Sequence, residues 1–235
     1  MKIKIQHSSE RGSTELGWLH SRHSFSFGNY YNPRRMNFGF LRVLNDDIVE
    51  PGKGFGMHFH DNMEIISIVL EGALEHKDSM GNHGVIKAGE VQRISAGTGI
   101  SHSEFNHSNK GVVHFLQIWV ESKEKGIKPD YEQKNFSKIK KNKLVEIVSG
   151  NKNDKASYIH QDAYFSIGDF DKNKEINYKL KNNNDGVFVF IINGSVIIDK
   201  EKLDERNSAE ITETGTLKFK TEKESKILVI EVPLK

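Results

Sequence analysis

The sequence contains no cysteine and only four prolines among its 235 residues. Without cysteine the chain has no disulfide, no iron–sulfur cluster, no thiolate-bound zinc and no cysteine nucleophile. Charges of the two signs nearly cancel, with 34 lysines and arginines against 32 aspartates and glutamates. A net charge of +2 and the absence of a dense basic stripe argue against a dedicated nucleic-acid-binding protein.

Long apolar runs are also missing. Residues 187–192 form one of the longest, and it is far shorter than the about 18 residues that a membrane helix needs. The first residues, MKIKIQHSSERG, lack the apolar centre of a signal peptide. We therefore expect no membrane segment and a cytoplasmic location.

Short apolar stretches recur along the chain and predict β-strands. They are rich in β-branched and aromatic residues and are bounded by Gly, Asn, Asp or Lys. No long stripe with the period of an α-helix competes with them. Many short strands joined by glycine-bearing turns predict an all-β sandwich or barrel. The stretches are FGFLRVL (38–44), EIISIVLEG (64–72), VVHFLQIWV (112–120), GVFVFIINGSVIID (186–199) and KILVIEVPL (226–234).

The two halves of the chain differ in composition. Residues 1–120 hold ten of the eleven histidines and fourteen of the twenty glycines. The polar segment 121–143 shows little apolar periodicity and is interpreted as a connector. Two domains are therefore predicted, residues 1–125 and 126–235. A weak repeat, strand–Gly–strand around Gly72 and Gly194, suggests two similar barrels, the second without the polar centre, although chance similarity of two hairpins is the alternative.

Two histidine-containing pairs indicate a metal site. His58 and His60 are two residues apart, and His102 and Glu104 repeat this spacing further along the chain. In a strand such residues project from one face about 6–7 Å apart. Two antiparallel strands would then present three imidazoles and one carboxylate to one ion. Glu64 shares the parity of His58 and His60, so spacing alone leaves either glutamate as the carboxylate ligand.

The ligand types restrict the metal. Three neutral imidazoles and one carboxylate suit Fe(II), Mn(II), Ni(II), Co(II), Cu(II) or Zn(II). Because such metals accept five or six ligands, four protein ligands leave positions open for substrate and O₂.

At these residues the sequence resembles the paired motifs of the cupin superfamily. Gly52, His58, His60 and Glu64 fit the first motif; Gly89, Gly97, His102 and Asn106 fit the second. The departures from the pattern, such as Ser95 where proline is usual, resemble the pirins and bacterial pirin-like proteins. Further matching segments are HSRHSFSFGNYYNP (20–33), EHKDSMGN (75–82), VQRISAGTGISHSEFN (91–106), LQIWV (116–120) and PDYEQ (129–133).

The resemblance, which covers residues 12–133, implies a fold, a site and an activity. Pirins are bicupins, with two jelly-roll-like barrels, and the N-terminal barrel binds one metal, usually iron. Carried over, the ligands are His58, His60, His102 and Glu104, and Glu64 is structural or lies beside the site. The metal expected first is Fe(II), with Mn, Co, Ni, Cu or Zn as alternatives.

Several bacterial pirin-like proteins resemble quercetin 2,3-dioxygenases, which open a flavonol ring with O₂ and release carbon monoxide. The resemblance therefore implies a small aromatic substrate and O₂, with Glu104 as catalytic base for the flavonol 3-hydroxyl. The alternative is a regulatory protein whose metal state alters its affinity for a protein partner, as in eukaryotic pirins. A metal site without a substrate pocket would favour that alternative. A cupin that binds a metal or small molecule without turnover is the third possibility.

The other histidines receive weaker assignments. His20 and His23 could line the mouth of the metal barrel, but we expect their strand to pin the two barrels together. His76, His83, His107 and His114 are expected at the surface or beside the site. Trp119 is interpreted as a core residue.

All metal is predicted to bind in the first half. The double variant His58→Ala/His102→Ala should lose it, because half of the ligand set is gone. Metal analysis of the purified proteins tests this. Stoichiometric metal in the double variant would contradict the ligand assignment, and two metals per chain would contradict a second barrel without ligands.

Overall fold

The computed structural model describes residues Met1–Lys235 and confirms the all-β prediction. It contains 22 strands, one short 3₁₀-helix and no α-helix. None of its elements is a helix capable of spanning a membrane. The cytoplasmic location stays a prediction.

The first half of the chain carries twelve strands and the 3₁₀-helix Ser8–Glu10. The strands are β1 (Lys2–Gln6), β2 (Gly12–Glu15), β3 (Leu19–His23), β4 (Leu41–Val49), β5 (Gly54–His60), β6 (Met63–Glu71), β7 (Ala73–Asp78), β8 (His83–Lys87), β9 (Glu90–Ser95), β10 (Ile100–Asn106), β11 (Val113–Glu121) and β12 (Asp130–Asn135).

The second half carries ten strands. They are β13 (Val145–Ser149), β14 (Ser157–Tyr158), β15 (Tyr164–Phe170), β16 (Glu175–Lys179), β17 (Gly186–Asn193), β18 (Ser195–Ile198), β19 (Glu201–Asp204), β20 (Ser208–Thr212), β21 (Thr216–Thr221) and β22 (Ser225–Val232).

Four sheets form two similar pairs. The seven-stranded sheets have the orders β12-β9-β6-β11-β4-β3-β2 and β1-β20-β17-β22-β15-β13-β14. The four-stranded sheets have the orders β5-β10-β7-β8 and β16-β21-β18-β19. In each half, one sheet of each kind encloses the interior of a barrel. The strand orders of the two halves correspond, except at one edge of the large sheets, where β14 pairs with β13 in parallel and β2 pairs with β3 antiparallel.

The predicted repeat falls on equivalent turns of the two halves. Gly72 joins β6 to β7 and Gly194 joins β17 to β18, so that each leads from the large sheet into the small one. Both glycines have positive φ, 74° and 87°. A Cβ atom would lie 2.5 Å from the carbonyl oxygen of Val112 at the first position and 2.2 Å from that of Glu224 at the second. Only glycine fits such turns without strain.

Two edge strands cross the predicted boundary at residue 125. β1 pairs with β20 of the second half, and β12 pairs with β9 of the first half. The interpretation of residues 121–143 as a connector was therefore wrong for β12. Its sequence, DYEQKN, is polar and partly exposed, as an edge strand can be, and so it lacks the apolar alternation that signals a strand.

The two large sheets pack against each other through a shared core of 22 buried residues. Central strands supply it with alternate side chains, such as Leu116 and Ile118 of β11 and Phe188 and Phe190 of β17. The intervening side chains of the same strands fill the barrels. Burial on both faces explains why these strands are continuous apolar runs in the sequence.

The two barrel interiors differ in polarity. In the second half, β16 and β21 contribute Ile176, Tyr178, Leu217 and Phe219 to an apolar cluster. In the first half, the corresponding strands β5 and β10 carry the predicted metal ligands.

The shared core predicts that the two halves unfold together. Phe188→Ala removes a ring whose centroid lies 5.7 Å from that of Phe25 and 6.2 Å from that of Phe38. This truncation should cost about 3–5 kcal/mol in the free energy of unfolding. Tyr31→Ala, at a side chain 73% exposed, should change it by less than about 0.5 kcal/mol. Urea unfolding followed by fluorescence and circular dichroism measures both, and two separate transitions would contradict the shared core.

Candidate metal centre

Strand geometry brings three imidazoles together inside the first barrel. His58 and His60 alternate on β5, and His102 of β10 lies directly opposite His58 in the antiparallel register. The ring centroid of His58 lies 4.4 Å from that of His102 and 4.8 Å from that of His60, and the third pair is 5.0 Å apart. One nitrogen of each ring lies within 4.8 Å of the others. These three predicted ligands are therefore in reach of one ion.

Three nitrogens of this cluster lack protein partners. His60 Nε2 and both ring nitrogens of His102 are buried without a hydrogen bond. The Nδ1 atom of His58 lies 2.7 Å from the carbonyl oxygen of Gly56, to which it donates, and this leaves Nε2 as an acceptor. A buried polar group without a partner costs about 1–3 kcal/mol. The donor set thus fits a cation that accepts several imidazole lone pairs.

Glu104 lies beside His102, which it shares with the three-imidazole cluster, and forms a second group with His102 and His76. It is fully buried on β10, beyond an irregularity in the pairing of β10 with β5. One carboxylate oxygen lies within 4.8 Å of ligand nitrogens of His102 and His76. Oε1 accepts hydrogen bonds from Ser67 (3.1 Å) and Gln92 (2.7 Å).

The surroundings keep Glu104 ionised. Its other oxygen, Oε2, accepts a 2.6 Å hydrogen bond from Gln117. Burial alone would raise the pKa of Glu104, but the imidazoles of His102 and His76 act against burial. With the hydrogen bonds added, the pKa lies below its ordinary value.

Glu64, the other carboxylate that the spacing allowed, lies elsewhere. Its oxygens accept hydrogen bonds from Ser95 (2.6 Å) and Ser122 (3.0 Å). Burial raises its pKa. It does not join the group of histidine nitrogens. The geometry therefore favours Glu104 as the carboxylate nearest the imidazoles.

His76 is closer to the centre than the sequence indicated. It is completely buried on β7, directly opposite Glu104 of β10. Its Nε2 lies 3.1 Å from Asp78 Oδ2, its Nδ1 has no partner, and its ring stacks on Tyr131 at 4.7 Å. The alternation of His76 and Asp78 in EHKDSMGN was the available signal, because it places both side chains on one face of a strand.

Sequence reasoning did not identify the residues that hold Glu104. Ser67, Gln92 and Gln117 lie on central strands of the large sheet and are buried. A polar residue inside an apolar strand is their signal: Ser67 interrupts EIISIVLEG and Gln117 interrupts VVHFLQIWV. A buried amide in such a strand needs a partner, and here the partner is the carboxylate.

A cavity of about 210 Å³ adjoins the centre. His58 and Glu104 line it, and its walls also include Leu19, Phe55 and Trp119. The interpretation of Trp119 as a core residue was therefore incomplete. One side packs edge-on against the ring of His60 at 4.8 Å, and the side chain also faces the cavity.

Other histidines of the first half differ in their surroundings. His23 is buried and lines the cavity. This position supports its assignment to the mouth of the metal barrel, which was the less favoured of the two. His20, on the other face of β3, is exposed and bonded to Glu15. Two histidines, His83 and His107, are exposed and bonded to Glu75.

His114 lies away from the cavity. This partly buried residue is 2.7 Å from Asp46, at the junction with Arg206 of the second half.

Comparison with known proteins agrees with this architecture. Residues 4–120 match the family model described as Pirin, and residues 146–232 match the model described as Quercetinase C-terminal cupin domain. The fold is therefore a bicupin, as expected. A curated relative from Escherichia coli (strain K12), named quercetin 2,3-dioxygenase, is 38% identical over 231 residues, which cover 98% of this chain and 99% of the relative.

Solved structures give the same result. The bacterial pirin YhhW from Escherichia coli, crystallised in complex with nickel(II), superposes with a TM-score of 0.94 at 37% identity, and the match covers 100% of both chains. A protein from Geobacillus kaustophilus, at 21% identity and a TM-score of 0.82, shares the fold. On this similarity over its whole length, the chain belongs to the pirin family.

Acid should destabilise the metal-free protein through the central histidines. Burial lowers the pKa of both His60 and His102 to about 4, from an ordinary value of 6.5. Between pH 6.5 and 4 the unfolded chain therefore binds more protons than the folded chain, so stability falls as the pH falls. In His60→Gln this part of the loss should shrink. The measurement is the urea midpoint of metal-free protein at several pH values, and an unchanged pH dependence in the variant would contradict the assignment.

Proposed function

We propose that this chain is a metal-dependent dioxygenase that opens the ring of flavonols or related small aromatic compounds. The observation that carries the proposal is the cavity beside the imidazole cluster, which His58 and Glu104 line together with aromatic, aliphatic and polar side chains. Such a cavity buries a flat aromatic molecule with one edge against the imidazole cluster. The quercetin 2,3-dioxygenase from Escherichia coli, 38% identical, supports the choice of reaction.

One divalent metal belongs to this proposal, held by His58, His60, His102 and Glu104. The unpaired imidazole nitrogens and the buried carboxylate support this set. Fe(II) is the first choice, and Mn, Co, Ni, Cu or Zn are alternatives. The nickel(II) complex of YhhW supports a divalent ion without selecting iron. When bound, the metal supplies Lewis acidity toward the flavonol oxygens.

The reaction requires a proton acceptor, and the buried Glu104 carboxylate beside His102 is the acceptor in this proposal. The flavonol 3-hydroxyl transfers its proton to a Glu104 oxygen, and the flavonolate then reacts with O₂. Both oxygen atoms enter the ring-opened ester, and one ring carbon leaves as carbon monoxide. Hydrogen bonds from Gln92 and Gln117 fix the carboxylate, so that it changes its protonation state without moving.

The rest of the cavity orients the substrate and excludes water. Phe27 packs edge-on against Trp119 with ring centroids 5.4 Å apart, and both rings line the cavity. Aromatic side chains so arranged favour a planar ring beside them.

The cavity also bears on the alternative function. A regulatory metal protein needs an exposed surface for its partner but no enclosed space beside the metal. Here the space meets two of the proposed ligands, His58 and Glu104. This contact favours turnover of a small molecule over regulation of a protein partner.

Turnover should require both the metal and oxygen. Purified protein of known metal content is mixed with a flavonol, and the loss of flavonol absorbance and the uptake of O₂ are followed together. A chelator should abolish both, and re-addition of Fe(II), Mn(II), Co(II) or Ni(II) should restore them to different degrees. Decay that persists in metal-free protein or without oxygen would refute the dioxygenase. If fully metallated protein consumes no phenolic substrate, the regulatory function is the better choice.

The two glutamates should differ sharply in their effect on rate. Glu104→Gln keeps the size of the side chain and one oxygen but removes the proton acceptor, so kcat should fall by about 10²–10⁴-fold. Glu64→Gln is the matched control, since it makes the same change at a buried carboxylate bonded to two serines. Rates at matched metal content are compared. The reverse ranking would assign the carboxylate role to Glu64.

A further inference from the structure

The wall of the cavity formed by β2, β3 and β4 is polar. It consists of Thr14, Ser21, His23, Asn45 and Asp47, which all line the cavity. These residues are cross-strand neighbours: Thr14 lies opposite Ser21, Ser21 opposite Asp47, and His23 opposite Asn45. We call this set the polar wall. The proposed proton transfer and metal ligation use none of its side chains.

Hydrogen bonds within the polar wall fix its side chains. His23 Nδ1 lies 2.8 Å from Asn45 Oδ1, and His23 Nε2 lies 2.8 Å from Thr14 Oγ1. If the ring donates to the amide oxygen, its other nitrogen accepts from the threonine hydroxyl, and both nitrogens of a neutral imidazole are satisfied. His23 therefore links Thr14 to Asn45 and holds both side chains in place within the polar wall.

Asp47 is the member of the polar wall with unused hydrogen-bonding capacity. It is 3% exposed, and its Oδ1 accepts a hydrogen bond from Ser21. Its Oδ2 makes no hydrogen bond to the protein, although the side chain lines the cavity. Its neighbour Asp46, on the other face of β4, is by contrast bonded to Arg11, Arg206 and His114. A buried carboxyl group with a free oxygen on a cavity is a site for a ligand that donates a hydrogen bond.

The electrostatic surroundings of Asp47 agree with a neutral, polar ligand. No arginine, lysine or histidine pairs with it. Burial, together with the nearby Asp46 and Glu104 carboxylates, raises its pKa to about 7 against the lowering effect of Ser21 and Arg11. A carboxyl group in this state forms hydrogen bonds to hydroxyl groups in either protonation state. It gives no advantage to an anionic substituent.

We propose that the polar wall is a second recognition subsite that selects aromatic substrates with a hydroxyl group on the ring remote from the metal, and that Asp47 Oδ2 binds this hydroxyl. The inference rests on the proposed function, because it takes the reacting end of the substrate to lie at His58 and Glu104. The substrate class is thereby narrowed to polyhydroxylated aryl compounds. Among flavonols, those with hydroxyls on the pendant ring should be preferred.

Three flavonols that carry two, one or no hydroxyl groups on the pendant ring test this subsite. Their binding to metal-loaded protein is measured without oxygen, by quenching of tryptophan fluorescence, and their kcat/KM is measured in air. The wild-type protein should bind the dihydroxylated flavonol most tightly and the unsubstituted one most weakly. Asp47→Ala should weaken binding of the dihydroxylated compound by about 10-fold or more and leave the unsubstituted compound within about 2-fold.

Controls separate the subsite from damage to the fold. Metal content and unfolding midpoint are measured for each variant. Asp169→Asn changes a partly exposed carboxylate on β15, the strand that corresponds to β4 in the second half, and should behave as wild type. If Asp47→Ala does not fold, Ser21→Ala removes the hydrogen bond that orients Asp47 and should give the same ranking of the three flavonols with a smaller effect.

The outcomes distinguish this subsite from the proposed function. An equal loss for all three flavonols, the absence of any hydroxyl preference in the wild-type protein, or failure of all three to bind would overturn the subsite. Hydroxyl-dependent binding without turnover by metallated protein in air would support the subsite and refute the dioxygenase. Turnover of all three at rates independent of Asp47 would support the dioxygenase and refute the subsite.

Discussion

The face-to-face packing of the two seven-stranded sheets determines most other features of this structure. Each central strand is held by the shared core on one side, and its alternate side chains are therefore presented to a barrel on the other. In β11, Leu116 and Ile118 lie in the shared core while Gln117 and Trp119 face the metal centre. A change in register of one residue would exchange these two sets. The apolar packing between the halves therefore fixes the polar chemistry inside the first.

The metal centre is costly for the folded chain until an ion binds. Buried imidazole nitrogens without partners, such as those of His60 and His102, lower the stability of the metal-free protein. The second barrel shows the alternative, since its interior at β16 and β21 is closed by apolar side chains. The first half therefore holds a centre that destabilises the metal-free chain, and the second half, with its apolar interior, packs against the large sheet of the first.

The sequence predicted well whatever depends on local periodicity. The i,i+2 pairs at His58 and His102 placed the imidazoles correctly, because alternation along a strand is a local property. The carboxylate ligand was ambiguous, because Glu64 and Glu104 each lie an even number of residues from a predicted histidine ligand. Which of the two side chains faces the histidines depends on how their strands pair. Gln117 and Asp47 were not identified as parts of the site or cavity, and His76 was expected either at the surface or beside the site, because their roles arise from pairing between strands distant in sequence. Strand β12 was not predicted for the same reason, because its pairing with β9 defines it as a strand and its polar composition gives no such signal.

The exchange of edge strands has a consequence for how the chain can fold during synthesis. Lys2 of β1 pairs with Thr212, which is synthesised much later. Until then β1 has no partner, and the first barrel lacks its own edge until β12 is made. Contacts so far apart in sequence slow folding, and unpaired sheet edges invite association with other chains. Unpaired edges of β20 and β9 are therefore the parts of the incomplete chain where association with other chains is favoured until β1 and β12 pair with them.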